Sequence, residues 1–175
     1  MKIVSWNVNS VKVRKPLLKK LIEEISPEVI CLQETKTDDN SFPINFFEKN
    51  NYKCYVNGIR SYNGVAIITK EEPKDFHFHD YCEKKDARHI EVEISGYKIH
   101  SVYIPAGGDE PDATTNEKFQ HKLDFLDRLS DFVADRKNEK ILLCGDFNVA
   151  PYEDDVWSHK QLRNVVSHTD IERKK

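Results

Sequence analysis

The sequence predicts an α/β fold with mixed sheets. Three observations carry that expectation: a strand–helix–strand opening, a tight central hairpin, and a long amphipathic helix feeding a late apolar strand. The opening runs from KIVSWNVN through PLLKKLIEEI to EVICLQE, with apolar residues at Leu18, Leu21, Ile22 and Ile25. Spacings of three and four define one helix face, so the segment reads as a βαβ unit whose short crossover makes its strands parallel. Short strands are expected at YKCYVN and GVAIIT, joined by a turn in the Gly58 and Gly64 region. HIEVEI and YKIHSVYIP follow, separated by Ser95 and Gly96, the strongest hairpin signal in the chain. Phe119, Leu123, Leu126, Leu129 and Val133 then recur at helical spacing, which predicts a helix from about Thr114 to Arg136 before the strand ILLCGDFN. Thr169 with Glu172 has the form of a capping box that opens a last short helix, and the IERKK end reads as solvated charge.

Composition bounds the function. With 175 residues, 27 Lys+Arg against 30 Asp+Glu and 38% hydrophobic residues, the chain suits one domain spanning residues 1–175. A chain of this size folds without a disulfide or metal staple, so a metal would serve chemistry. The formal charge of −3 excludes a polybasic coat that binds nucleic acid by bulk charge, while leaving room for a local basic patch. No apolar run approaches the ~20 residues of a membrane span, and the start MKIVSWNVNS lacks a signal-peptide core, so a cytoplasmic protein without a membrane partner is expected. Cys31, Cys54, Cys82 and Cys144 show no C-x-x-C spacing and read as reduced, mostly buried thiols.

Several apolar strands end in polar groups: Trp6-Asn7 with Asn9, Gln33-Glu34, Tyr103, and Asp146-Phe147-Asn148. Strand ends are where ligands gather in α/β sheets, and alternation puts Asn7 with Asn9, and Asp146 with Asn148, on one face each. Each has a plainer reading when taken alone: a turn for the asparagines, an exposed or helix-capping acid for Glu34, an Asx turn for Asp146, a strand aromatic for Tyr103. Together, two carboxylates, amides and a phenol describe a hard-cation site facing an anion, in which carboxylate oxygens suit Mg²⁺ and amide or phenol donors suit phosphate oxygens. His77 and His79 in FHFHD have metal-like spacing, and an edge strand accounts for them as well.

The segments WNVNS, LQETK, GVAIITK, VYIPAGG and GDFNVAP followed by DVW, in that order, resemble the exonuclease III family of apurinic/apyrimidinic endonucleases, in the endonuclease/exonuclease/phosphatase superfamily. The resemblance implies a four-layer α/β sandwich, a Mg²⁺ or Mn²⁺ cofactor, and hydrolysis of double-stranded DNA at abasic sites and 3′ ends by a monomer. It makes Glu34 the metal ligand with Asn7 supporting it, and gives Asp146 the attacking water. Asn148 and Tyr103 would hold phosphate oxygens. Arg88 and Asn9 fall at substrate-binding positions, Arg88 having a surface ion pair as its plainer reading. Lys118 and Lys122 lie one helical turn apart, where they either touch DNA phosphates or form a solvated face.

The family pattern continues with an Arg-x-Asp-Tyr-like strand and a closing Asp-His pair, and no Asp-His dipeptide occurs in this sequence. The catalytic set therefore reads as incomplete and the sandwich as C-terminally truncated, with exposed sheet edges. Two further functions stay open: an inactive truncated or split fragment that binds or complements a separate C-terminal fragment, and a superfamily relative acting on inositol phosphates or sphingolipids.

Overall fold

In the computed structural model, which describes residues 1–175, β1 (Ile3–Asn7) runs parallel to β2 (Val29–Gln33), with Ile3 opposite Val29 and Asn7 opposite Gln33. Parallel neighbours need a crossover, and α1 (Val11–Ile25) supplies it. The helix begins before the predicted PLLKK because its first amides find acceptors outside it: Ser10 N–H donates to Glu34 O and Val11 N–H to Thr35 O. Its buried face is Val11, Leu18 and Ile22, whereas Ile25 is exposed beside the left-handed cap at Ser26.

After the short α2 (Ile44–Glu48), β3 (Lys53–Ile59) and β4 (Tyr62–Thr69) pair antiparallel and complete a sheet ordered β1-β2-β4-β3. The turn falls at Arg60 and Ser61 and not at the flanking glycines, which lie within the strands. Those glycines serve close approach instead. A Cβ on Gly58 would stand 2.3 Å from Thr37 O, and one on Gly64 2.2 Å from Thr35 Oγ1.

The second sheet holds β5 (Phe76–His77), β6 (His89–Ile94), β7 (Tyr97–Tyr103) and β8 (Ile141–Asp146) in that order. Ser95 and Gly96, at φ 51° and 77°, form the predicted two-residue hairpin turn, whose positive φ values match strand twist. β8 joins β7 in parallel and sets Asp146 opposite Tyr103. Both sheets are thus mixed, as expected.

Alternation sorts the strand side chains. Val29, Cys31, Val65 and Ile67 of the first sheet pack on Ile90, Val92, Ile94 and Ile99 of the second. The opposite faces of the same strands, through Ile30, Leu32, Ala66 and Ile68, pack on Leu18, Ile22 and Phe47 of the two helices. β2 is buried at every residue because both of its faces are covered. A buried polar link crosses between the sheets: Gln33 Nε2 donates to Ser101 Oγ (2.9 Å), and Ser101 Oγ donates to Leu32 O (3.2 Å).

These elements, residues 1–80, 85–103 and 139–146, form one of two compact units. The other comprises residues 81–84, 104–138 and 147–175. Its main element is α3 (Glu117–Ala134), which starts three residues after the predicted Thr114 because Asn116 caps it, accepting Lys118 N–H at 3.0 Å. Phe119, Leu123 and Leu129 are buried as the periodicity predicts, joined by Phe125 and Lys122. α4 (His159–Leu162) and α5 (Asp170–Arg173) follow, and Thr169 with Glu172 forms the anticipated capping box. The end of the chain is not simply solvated charge: Glu172 is 2% exposed. No helix is long and apolar enough to cross a membrane.

Candidate active site

The C-terminal ends of β1, β2, β7 and β8 bring four of the predicted residues into contact. Asn7 ends β1, Glu34 follows β2, Tyr103 ends β7 and Asp146 ends β8. The Asn7 side-chain amide bridges two carboxylates, donating to Glu34 Oε1 at 2.8 Å and to Asp146 Oδ2 at 2.7 Å. Tyr103 O–H donates to the same Glu34 oxygen at 3.0 Å. Asn7 Oδ1 accepts the Asn9 N–H at 3.1 Å, an Asx turn that fixes which end of the amide faces the acids.

Backbone geometry supports this convergence. Glu34 has φ 52° and Lys36 φ 53°, so the chain leaves β2 through left-handed residues, an uncommon conformation for side chains of this kind. Thr35 N–H and Lys36 N–H are held by Gly64 O and Asn63 O, both at 3.0 Å. Lys36 consequently reaches back over the acid: its Nζ lies 3.0 Å from Glu34 Oε2 and donates to Asn9 Oδ1.

Charge follows from these partners. Burial pushes the Glu34 carboxyl up, but hydrogen bonds from Asn7, Lys36 and Tyr103, with the Lys36 charge, outweigh it and leave the group below its ordinary value. Glu34 is therefore an anion at neutral pH. Burial, reinforced by the Glu34 charge and hydrogen bond, pushes the Tyr103 phenol up to about 12, so it stays a donor. The donor set is rich in hard oxygens: Glu34, Asp146 and the Asn9 amide oxygen. It fits a divalent cation of the Mg²⁺ or Mn²⁺ kind, and the Lys36 ammonium on Glu34 and Asn9 shows that these oxygens attract positive charge.

Arg88 packs against Tyr103. Its Nη1 donates to Tyr103 O at 3.1 Å, its guanidinium stands 4.8 Å from the Tyr103 ring centroid, and its Nε pairs with Asp86. Only 13% of its side chain is exposed. Asn9 is exposed beside the cluster.

Asn148 and Lys118 belong to the other unit. Asn148 is left-handed (φ 49°), and its Nδ2 donates to Ile104 O at 2.8 Å. Lys118 is exposed on the first turn of α3. Lys122, paired with it in the sequence reading, is neither a DNA contact nor a solvated face. It is fully buried against Glu172, because α3 turns this position inward with Phe119 and Phe125.

Two contributors escaped sequence reasoning, Lys36 and Asp86. Lys36 is visible within LQETK as a cation two residues from Glu34, but alternation would place both on one strand face, not ion-paired around a left-handed bend. A separate nitrogen-rich cluster joins the FHFHD segment to the hairpin. His79 Nε2 lies 3.1 Å from Glu91 Oε2, and His89 Nε2 lies 2.9 Å from His100 Nδ1. The metal-capable atoms of His89, Glu91 and His100 lie within 4.8 Å of one another. The backbone N–H of His79 donates to His89 Nδ1 (3.1 Å), which leaves the His89 proton on Nε2, facing His100. An edge strand accounts for exposed His77, paired with Asp75, but not for His79, which turns inward to Glu91.

The family model described as Endonuclease/Exonuclease/phosphatase family matches residues 4–169. The chain is 31% identical over 164 residues to the Exodeoxyribonuclease III of Haemophilus influenzae, a match covering 89% of this chain and 60% of that protein. An AP endonuclease structure from Archaeoglobus fulgidus superposes with a TM-score of 0.90 at 32% identity, over 99% of this chain and 67% of the other. A 3′ phosphatase, NExo from Neisseria bound to product DNA hairpin, superposes at 0.93 with 31% identity, over 99% and 68%. The chain thus spans 60–68% of the length of these relatives.

Proposed function

Since the chain belongs to the Endonuclease/Exonuclease/phosphatase family, we propose that it is a divalent-metal-dependent DNA-repair phosphodiesterase that cuts double-stranded DNA at abasic sites and trims 3′ ends. The observation that carries this reading is the Asn7 amide bridging Glu34 and Asp146. It holds one acid for a cation and another for a water in fixed register.

The cation, when bound, supplies Lewis-acid neutralisation of phosphate charge and of the leaving 3′ oxygen. Glu34 would hold it, with Asn7 keeping the carboxylate oriented. Asp146 takes or orients the proton of the attacking water, a role that requires hydrogen-bond reach to that water. Tyr103 keeps its proton and donates to a non-bridging oxygen as charge develops, with Arg88 fixing the ring. The family resemblance gives Asn148 the same task. Arg88, Asn9 and Lys118 are the substrate-binding positions of this reading, and a reduced cytoplasmic monomer forming one domain is its setting.

The test is cleavage of a duplex oligonucleotide carrying one abasic site. Glu34→Ala should weaken Mn²⁺ binding by calorimetry, and Asp146→Asn should abolish cleavage in Mg²⁺. Undiminished cleavage by both variants would overturn the assignment. A second reading is a binding or complementing module without turnover of its own. Duplex binding without any cleavage by the wild-type chain would select it.

A further inference from the structure

α3 and the last helix carry a buried ion pair that the proposed chemistry leaves unexplained. Lys122 and Glu172 side chains are both fully buried, with Nζ 2.5 Å from Glu172 Oε1. Neither is there to satisfy only the other. Lys122 Nζ also donates to Asn148 O (2.6 Å), Ser167 Oγ (3.1 Å) and Ala106 O (3.3 Å). The Glu172 carboxylate accepts the Ser167 N–H through both oxygens (3.0 and 2.9 Å), the Thr169 N–H (3.1 Å) and the Thr169 hydroxyl (2.6 Å).

An isolated buried ion pair is a poor stabiliser, since desolvation offsets its attraction and apolar residues of equal size serve as well. One whose remaining hydrogen bonds reach the chain at 106, 148, 167 and 169 ties separate stretches together, and Asn148 is one of the stretches it holds. Asn148 holds a left-handed backbone, φ 49°, and the ammonium sits on its carbonyl. Two further bonds fasten the same segment to 167–168: Ala150 N–H donates to Ser167 O (2.8 Å), and His168 Nδ1 lies 2.8 Å from Ala150 O. Gly107 leaves room for the lysine stem, for a Cβ there would come within 2.9 Å of Lys122 Cδ.

We infer that Lys122 and Glu172 are positioning residues that lock the backbone of Asn148 in the conformation from which its side-chain amide works. The inference rests on the proposed role of Asn148, and its test separates the two. In the ¹⁵N-labelled full chain, Lys122→Met with Glu172→Gln removes both charges at nearly constant volume. Glu172→Gln alone, which keeps every heavy-atom position, is the milder variant if the pair does not fold.

Both variants should shift the Asn148 resonances and speed exchange of the Ala150 amide by at least about tenfold, while β2 amides keep their protection. On abasic duplex, kcat should fall roughly 10- to 100-fold at unchanged KM, the scale expected for misplacing a transition-state donor. In an Asn148→Ala background the same substitutions should cause no further fall. Unaltered Asn148 resonances and Ala150 exchange would overturn the inference, as would an equal loss of kcat in the Asn148→Ala background. Altered exchange in a chain whose wild type does not cleave would uphold the lock and remove the proposed function instead.

Discussion

Replacing Tyr103 with Phe deletes one hydroxyl from the acid cluster and leaves the ring available to Arg88. Glu34 has three side-chain donors, Asn7 Nδ2 at 2.8 Å, Tyr103 O–H at 3.0 Å and Lys36 Nζ at 3.0 Å. A hydrogen bond to a charged group contributes about 1.5–3 kcal/mol. The Glu34 side chain is 19% exposed, so water takes up part of the vacated position, and the lower end, about 1.5 kcal/mol, applies at neutral pH. The pH dependence has a definite sign. Glu34 is lowered from its ordinary 4.5 in the folded state, so its contribution is complete above that value and is lost as pH falls through the lower folded value. The Tyr103→Phe penalty should therefore shrink in acid. Urea unfolding of wild type, Tyr103→Phe, Glu34→Gln and the double variant, at neutral pH and at a pH below the carboxylate range, gives both the penalty and the coupling energy. A penalty equal at the two pH values, or a coupling under about 0.5 kcal/mol at neutral pH, would refute the reasoning that the phenol serves the ionised acid.

Gly145→Ala would place a Cβ 2.0 Å from Val102 O in the neighbouring strand, so β8 must move away from β7, and urea unfolding should report a loss of about 3 kcal/mol or more. Stability within about 0.5 kcal/mol of wild type would show that the β7–β8 pairing is looser than described. Among the thiols, the Cys31 hydrogen bond pulls Cys144 down to about 7, whereas burial pushes Cys54 up to about 12. Alkylation followed by peptide mass spectrometry should label Cys144 well before Cys54 at mildly alkaline pH, and comparable labelling of the two would contradict this order.

How far the sequence anticipates the structure depends on where each residue finds its partner. The faces of α1 and α3 were legible in the spacing of Leu18 with Ile22 and of Phe119 with Leu123, because burial of a stripe is a local pattern. The start of α1 was not, since its first amides are satisfied by Glu34 O and Thr35 O across the sheet. Gly58 and Gly64 looked like turn residues, and their need for small size comes from Thr37 and Thr35, which no local window contains. Asn7, Glu34, Tyr103 and Asp146 stood out because polar groups ending apolar strands are unusual. Lys36 did not, for its position depends on two left-handed residues. The solvated reading of Lys122 and of the IERKK tail fails for a general reason: a charge on a helix or tail is nearly always solvated, and only a partner far along the chain reverses that expectation, whereas the Thr169–Glu172 capping box is local and legible.

The Gln33–Ser101–Leu32 link has a mechanical consequence. Burial of aliphatic layers stacked face to face is non-directional, so it rewards the area covered and does not by itself name which atom must meet which. A dry amide anchored to a hydroxyl has only one matching position, and a slip strands it without water. It thus indexes one layer against the other like a dowel, one residue from Glu34 and two from Tyr103. Removing it should blur the alignment of those two side chains before it loosens the fold itself.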